Sequence, residues 1–274
     1  MNNLLRAGLW RVKKDKWLWA GIFIILAYNI FGCISQYETV IKYQIEKRLE
    51  DVVFMFMLFP GITLAASISV LAGTEFSDGT IRNKIVTGKK RSDIYLSAFI
   101  LCSVEALLTF FIPVIVLQLV GIPLFRFFTQ PLSEIGYKFL LGMLLCLVYA
   151  SFYHMIAMLN QNKAHTAIIC ITLGFLILFA GAYLYQFLAA PQFYEYADVI
   201  DGQVKMITEE NLHYVTGLRR EIYQFLMDVL PGGAMMQMLE GSVLHPIRLV
   251  VSAVCSIIIF NVIGMFGFQR KDMK

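Results

Sequence analysis

The chain has 274 residues, 58% of them hydrophobic and 15% charged, with a formal net charge of +4. Water-soluble domains carry charged residues at about a quarter of positions. The composition therefore excludes an ordinary soluble enzyme or binding domain and indicates an integral membrane protein.

Residues 1–16 precede the first apolar run. Leu4, Leu5, Gly8, Leu9 and Val12 recur on one helical face while Arg6, Arg11, Lys13 and Lys14 occupy the others, the pattern of a helix lying at a membrane interface. Trp10, Trp17 and Trp19 suit the aromatic belt at that level. Six runs then qualify as spans by length and lack of charge: Trp17 to Ser35, Val52 to Gly73, Ile94 to Gly121, Phe139 to Asn160, Ala167 to Ala190 and Ile247 to Phe268. Charge runs through Lys16 before any apolar run and no small-residue cleavage site follows, so the first span is expected to be retained. Six spans return both termini to one side. Of the 23 Lys and Arg, 14 fall in segments on that side, which the positive-inside rule makes the cytoplasm. The expected location is the cell membrane, multi-pass, with both termini cytoplasmic.

Between the second and third spans lies a charged island, residues 74–93. Ser77 or Asp78 is a good N-cap and Gly88 a good left-handed stop, so Gly79 to Thr87 is expected to be helical. Ile81 and Ile85 then share one face, with Arg82 and Lys84 beside it, a shape suited to a groove on a soluble partner. Lys89, Lys90 and Arg91 are expected at headgroup level, with Ser92 or Asp93 capping the third span. A positive-inside loop with an incidental helix accounts for the same residues.

In the third span Glu105 is the one acid within an apolar run. Its expected place is against the bundle or a wet cavity, either in a substrate path or in an interhelical hydrogen bond. His154, on the fourth span, suits an interhelical hydrogen bond better than a proton relay. The five cysteines, odd in number and without a CxxC pair, all fall in spans and read as small buried hydrophobes. The four histidines, at 154, 165, 213 and 245, have no spacing for a metal.

Residues 191–246 form a second, longer polar region, placed outside. Asp201-Gly202 between Ala197–Ile200 and Gln203–Met206 reads as a two-residue hairpin turn. Further on, Leu218, Ile222, Phe225, Leu226 and Val229 make an apolar stripe opposite Arg219, Arg220, Gln224 and Asp228, broken at Pro231, Gly232 and Gly233. A helix, break and short helix over 217–239 is therefore expected at the outer leaflet, capping the path. The expected fold is all-α and polytopic: one transmembrane permease domain over 1–274, with six transmembrane helices, an N-terminal interfacial helix, a cytoplasmic helix in the island and an extracellular helical cap before the last span.

Enzyme signatures are absent. Glu209 and Glu210 precede His213 without the Arg that a diglutamate protease requires, and GxSG, HExxH and GxxxxGK[ST] do not occur. No catalytic residue, metal or cofactor of its own is assigned, and any use of ATP falls to another chain.

The stretch EFSDGTIRNKIVTGKKRSDIYLSAF, residues 75–99, resembles the cytoplasmic loop of the membrane subunits of type-2 ABC exporters: an acidic residue, Gly-Thr, a basic residue, then a basic cluster leading into the third span. The N-terminal helix, six spans and the Leu230-Pro231-Gly232 break agree with that family. The resemblance implies a coupling helix docked on an ATPase subunit, with Glu75, Gly79, Thr80, Arg82 and Arg91 at the matching positions. It also implies ATP and Mg bound by separate ABC ATPase subunits, a second permease chain forming a homodimer or heterodimer, contact with membrane lipid and no nucleic acid. The implied activity is ATP-driven export of a hydrophobic or amphipathic compound such as a peptide antibiotic, a lipid or a drug. A non-transporting sensor or immunity protein that binds a toxic peptide through its extracellular region is the alternative. An ion-coupled carrier using Glu105 and His154 would call for matched broken spans, which the sequence lacks.

Overall fold

The computed structural model describes residues 2–200 and 203–271. Helix α1 (Asn2–Lys13) leads into α2 (Lys16–Tyr43); two short 3-10 turns, Leu49–Asp51 and Met55–Leu58, precede α3 (Pro60–Ser77). Then come α4 (Thr80–Val86), α5 (Arg91–Phe125), α6 (Leu132–Asn160) and α7 (Lys163–Ala189). An antiparallel hairpin, β1 (Phe193–Ile200) and β2 (Gln203–Glu210), is followed by α8 (Gly217–Val229), α9 (Pro231–Leu239) and α10 (Pro246–Arg270). The expected turn at Asp201-Gly202 lies outside the described residues; the strands on either side pair in the expected register, Ile200 opposite Gln203.

Among the described residues, six helical segments are long and apolar enough to cross a membrane: α2, Leu49–Ser77, α5, α6, α7 and α10. The architecture is that of a mostly helical, multi-pass membrane protein. Large apolar side chains stand exposed along its flanks, among them Phe23 and Phe31 on α2, Leu176 and Phe179 on α7, and Ile258 and Phe266 on α10. On a soluble protein such a surface would aggregate; against lipid it is at rest.

The second span departs from a simple helix. The α-helical part begins only at Pro60, because proline has no N–H to continue a ladder from upstream. The Phe56 carbonyl, which Pro60 cannot serve, accepts from the Phe59 N–H at 3.1 Å. The third span is longer than expected: α5 has 35 residues, about 52 Å at 1.5 Å per residue, well beyond the hydrocarbon core of about 30 Å.

The main core gathers Leu64 and Ile68 of α3, Phe110 of α5, Leu145 and Tyr149 of α6, and Ala234, Met235 and Met238 of α9. Within the expected cap over 217–239, α9 is buried among the bundle helices, whereas α8 keeps Leu218, Ile222 and Phe225 exposed. The close fit of α9 depends on glycine: a Cβ on Gly232 would stand 2.0 Å from the Ile177 carbonyl oxygen, and one on Gly181 would stand 2.3 Å from Gly232. Helices α7 and α9 therefore meet backbone to backbone. Gly232→Ala is expected to destabilise the protein by about 3 kcal/mol, the upper end of overpacking costs, read as a lowered unfolding midpoint in detergent. An unchanged midpoint would show that α9 is less tightly inserted than the contacts indicate.

Candidate coupling site

The ends of α3, α6 and α10, the starts of α5 and α7, and all of α1 and α4 share one end of the bundle. Gly73 lies against Lys163, and Arg91 reaches the end of α10. At this end the island folds into a short, pinned helix. Asp78 closes α3, and Gly79, in the left-handed region at φ 67°, reverses the chain into α4. The expected capping by Ser77 or Asp78 is not what forms: Gly79 is the N-cap, and no side chain caps the helix. Gly88, at φ 81°, ends the turn that follows it as expected.

Seven residues are too few for a helix to stand alone in water, so α4 depends on its anchors. Ile81 is buried with Ile94 and Tyr95 of α5, Met158 of α6 and Phe268 of α10, and Ile85 packs at the edge of the same cluster. Lys84 Nζ donates to both oxygens of Glu75, at 2.8 and 2.9 Å. Glu75, itself buried, also accepts from Arg11 of α1 at 2.8 Å. One carboxylate thus ties α1, α3 and α4 together.

These contacts reverse the expected orientation of the helix. The isoleucine face turns inward against the chain's own core and is not a free docking stripe. What α4 presents outward is Arg82, Asn83, Val86 and Thr87, with Val86 78% exposed. Thr80, half-buried, opens the helix. Arg91 is also placed differently from its expected role at lipid headgroups. Its guanidinium donates to the carbonyls of Gln269 at 2.9 Å and Lys271 at 2.6 Å, and more weakly to that of Phe268 at 3.4 Å, so it caps α10. Neither Ser92 nor Asp93 caps α5, whose N-cap is Lys90.

Helix α1 is more than a surface anchor. Gly8 fits closely against Leu101 of α5, and Val12 joins Leu18, Ile22 and Leu101 in a small core. Asp15 then accepts from the amides of Trp17 and Leu18 and starts α2. Burial pushes the Asp15 carboxyl above the usual carboxylate range, with those two amides pulling the other way. Trp10, Trp17 and Trp19 remain exposed, as an interfacial belt requires. Between α1 and α3, Trp10, Arg11, Lys14, Lys16 and Trp17 line an open cleft of about 370 Å³.

Glu105 of α5 is fully buried. Ser67 of α3 and Asp15 are the polar groups that act on it. One turn earlier, Cys102 contacts His154 Nδ1 at 3.7 Å, and the Tyr95 ring lies 4.5 Å from the His154 ring. His154 thus has the interhelical contact expected of it.

At the opposite end, sequence reasoning missed the organising residue. Asp228, assigned to an exposed polar face, is fully buried. Besides Gln224 of its own helix, which donates at 3.3 Å, it accepts from Arg248 at 3.0 Å and from Gln237 at 3.1 Å, and His245 Nδ1 lies 2.9 Å from it. The last three belong to α9, α10 and the residue before α10. The side of α8 that carries Arg220, Gln224 and Asp228 therefore faces the protein, while Leu218, Ile222 and Phe225 face outward beside exposed Arg219 and Glu221, Leu218 at 72% exposure. Pro231 is the first residue of α9, placed where its missing N–H costs nothing. The clue in the sequence was one acid at a helix end followed by His245 and Arg248 at the start of a span.

No family model matches the sequence, and no curated protein matches it.

Replacing Glu75 by Gln keeps the shape and removes the charge that two cations share. The loss is expected to be about 1–3 kcal/mol, below the full cost of breaking a buried pair because Arg11 is partly exposed. A lower unfolding midpoint should be accompanied by faster tryptic cleavage at Arg82 and Lys84 as α4 loosens. Wild-type values in both measurements would show that the carboxylate does not hold the helix.

Proposed function

We propose that this chain is the membrane-spanning permease subunit of an ATP-driven ABC exporter, working with a second permease chain and with separate ATPase subunits that bind ATP and Mg. The observation that carries the reading is α4: a short helix at the end of two spans, pinned from inside by Ile81 and Lys84 and bearing an exposed face of Arg82, Asn83, Val86 and Thr87. A loop serving only as a positive-inside signal has no need of a buried ion pair or a core residue.

The mechanism follows from where α4 is attached. A force applied to its outer face passes through Glu75 into α3 and α1, and through the Ile81 cluster into α5, α6 and α10. Packed helices move as bodies, so closure of ATPase subunits beneath α4 would rock the bundle as a unit. In this reading α4 lies in the cytoplasm and α8 and the hairpin lie outside, with α8 and α9 forming the cap of the path. The transported compound is hydrophobic or amphipathic. Glu105 stands on α5 as a candidate for the path, and the exposed apolar flanks meet lipid or the second permease chain.

Arg82→Glu combined with Val86→Asp is expected to abolish co-purification of the cognate ATPase subunit while leaving the amount of folded permease unchanged. Ile81→Asp should instead lower the amount of folded protein, because it buries a charge. Retained ATPase binding by the Arg82/Val86 variant would overturn the coupling role. The sidedness is checked separately. A cysteine at exposed Glu221, in a background without the native cysteines, should react with a membrane-impermeant maleimide on intact cells. Labelling only after lysis would invert the topology.

A further inference from the structure

The hairpin is built in a way that its own contacts do not explain. A lone two-stranded sheet is marginal in water without a third strand or a packed helix. Every residue of β1 and β2 whose side chain is described is nevertheless exposed, except half-buried Ile207. The hairpin is tied down at its base, where the Asn211 N–H donates to the Gln192 carbonyl and its Nδ2 to the Pro191 carbonyl, both at 2.9 Å.

The register sorts its side chains into two unlike faces. Phe193 pairs with Glu210, Glu195 with Thr208 and Ala197 with Met206, and the period of two places these six on one face. That face holds two carboxylates and no cation, beside a Phe193 ring 48% exposed and a Met206 side chain 69% exposed. The other face is better balanced: Asp198 stands opposite Lys205, and the Tyr196 hydroxyl donates to Glu209 at 3.3 Å. Along both outer edges, half of each strand's N–H and C=O groups point away from the partner strand, a ready template for another.

We propose that the hairpin binds an extended, cationic, amphipathic peptide by strand addition, using the face of Phe193, Glu195, Met206 and Glu210. The added strand takes up the free edge groups. Every second residue of the added strand lies over this face, so cationic and apolar residues two apart bring Lys or Arg beside Glu195 or Glu210 and an apolar side chain beside Phe193 or Met206, according to the edge it joins. Charge complementarity selects the occupant: the same carboxylates repel anionic lipid and nucleic acid. Naming such a peptide as the exported compound rests on the exporter reading above, whereas its binding to the hairpin does not.

The test uses the full-length protein in phosphatidylcholine nanodiscs without any ATPase, with empty nanodiscs as the blank. The probe is a fluorescent peptide repeating Lys-Thr-Leu-Thr, which as a strand presents Lys and Leu in turn on one face, and the control is its counterpart repeating Glu-Thr-Leu-Thr. Saturable binding of the Lys peptide is expected, and Glu195→Gln with Glu210→Gln should weaken it by about tenfold, with further weakening by salt. Bound peptide should slow amide hydrogen exchange in residues 193–210 and leave α8 unchanged, a readout that needs no variant to fold. Equal affinity of variant and wild type, equal binding of the Glu peptide, or protection confined to other segments would overturn the proposal. So would disulfide cross-linking of two copies through Met206→Cys, which would make a second copy the occupant. Peptide binding that persists when no ATPase co-purifies with the wild-type protein would refute the exporter reading and leave this inference standing.

Discussion

A single carboxylate, Glu75, sits where three separately folded pieces of the chain have to agree. It lies near the end of α3, is removed from water, and has as partners a cation 64 residues before it and another nine residues after it. A buried charge without partners would be expelled or neutralised, so the position of Glu75 requires both Arg11 and Lys84 to be in place. That requirement fixes the depth of α1 beside α3 and the direction of α4 beneath it. Remove it, and the seven-residue helix retains only Ile81 and its half-buried neighbour Ile85 as anchors.

The opposite end of the bundle repeats the device with different residues. Asp228 holds α8, α9 and the start of α10 through Gln237, His245 and Arg248. Because the anchor is polar and faces inward, Leu218, Ile222 and Phe225 of α8 are turned outward while Met227 stays buried beside Asp228, in part the reverse of an amphipathic helix on a soluble protein. This arrangement costs little where the surroundings are hydrocarbon, since lipid accepts Leu218, Ile222 and Phe225 as readily as a core would. The close approach of α9 to α7 at Gly181 and Gly232 then fastens the whole unit to the bundle.

These two anchors mark what could and could not be read from the sequence. The six apolar runs, the hairpin register, the Gly88 stop and the break at Pro231 were legible, because each depends on a local property: length without charge, period, or the backbone limits of Gly and Pro. The inward faces of α4 and α8 were not. Ile81 and Ile85 form a stripe that suits a partner's groove or the chain's own core equally well, and only Tyr95, Met158 and Phe268, distant in sequence, decide between them. For α8 the ambiguity is sharper, since near a membrane an apolar stripe can face out. Arg91 looked like a headgroup contact because basic clusters beside spans usually are, and the carbonyls it caps lie about 180 residues away. The delayed start of α3 at Pro60 was readable in principle, since proline favours the first turn of a helix over its interior.

Glu105 connects the anchor at one end to the interior. It is fully buried, and a carboxyl removed from water is costly unless polar groups stand beside it. The polar group that reaches it from α3 is Ser67, eight residues before Glu75 and so about 12 Å along the same helix. Asp15, which also acts on it, follows α1 and starts α2. The surroundings of Glu105 are therefore supplied by the helices that Glu75 ties to α4, directly in the case of α3 and through Arg11 in the case of α1. A displacement of α4 that moves α3 or α1 against α5 changes the environment of this carboxyl without any contact between the two sites, because rigid helices carry the shift and the low-dielectric interior magnifies its effect on charge.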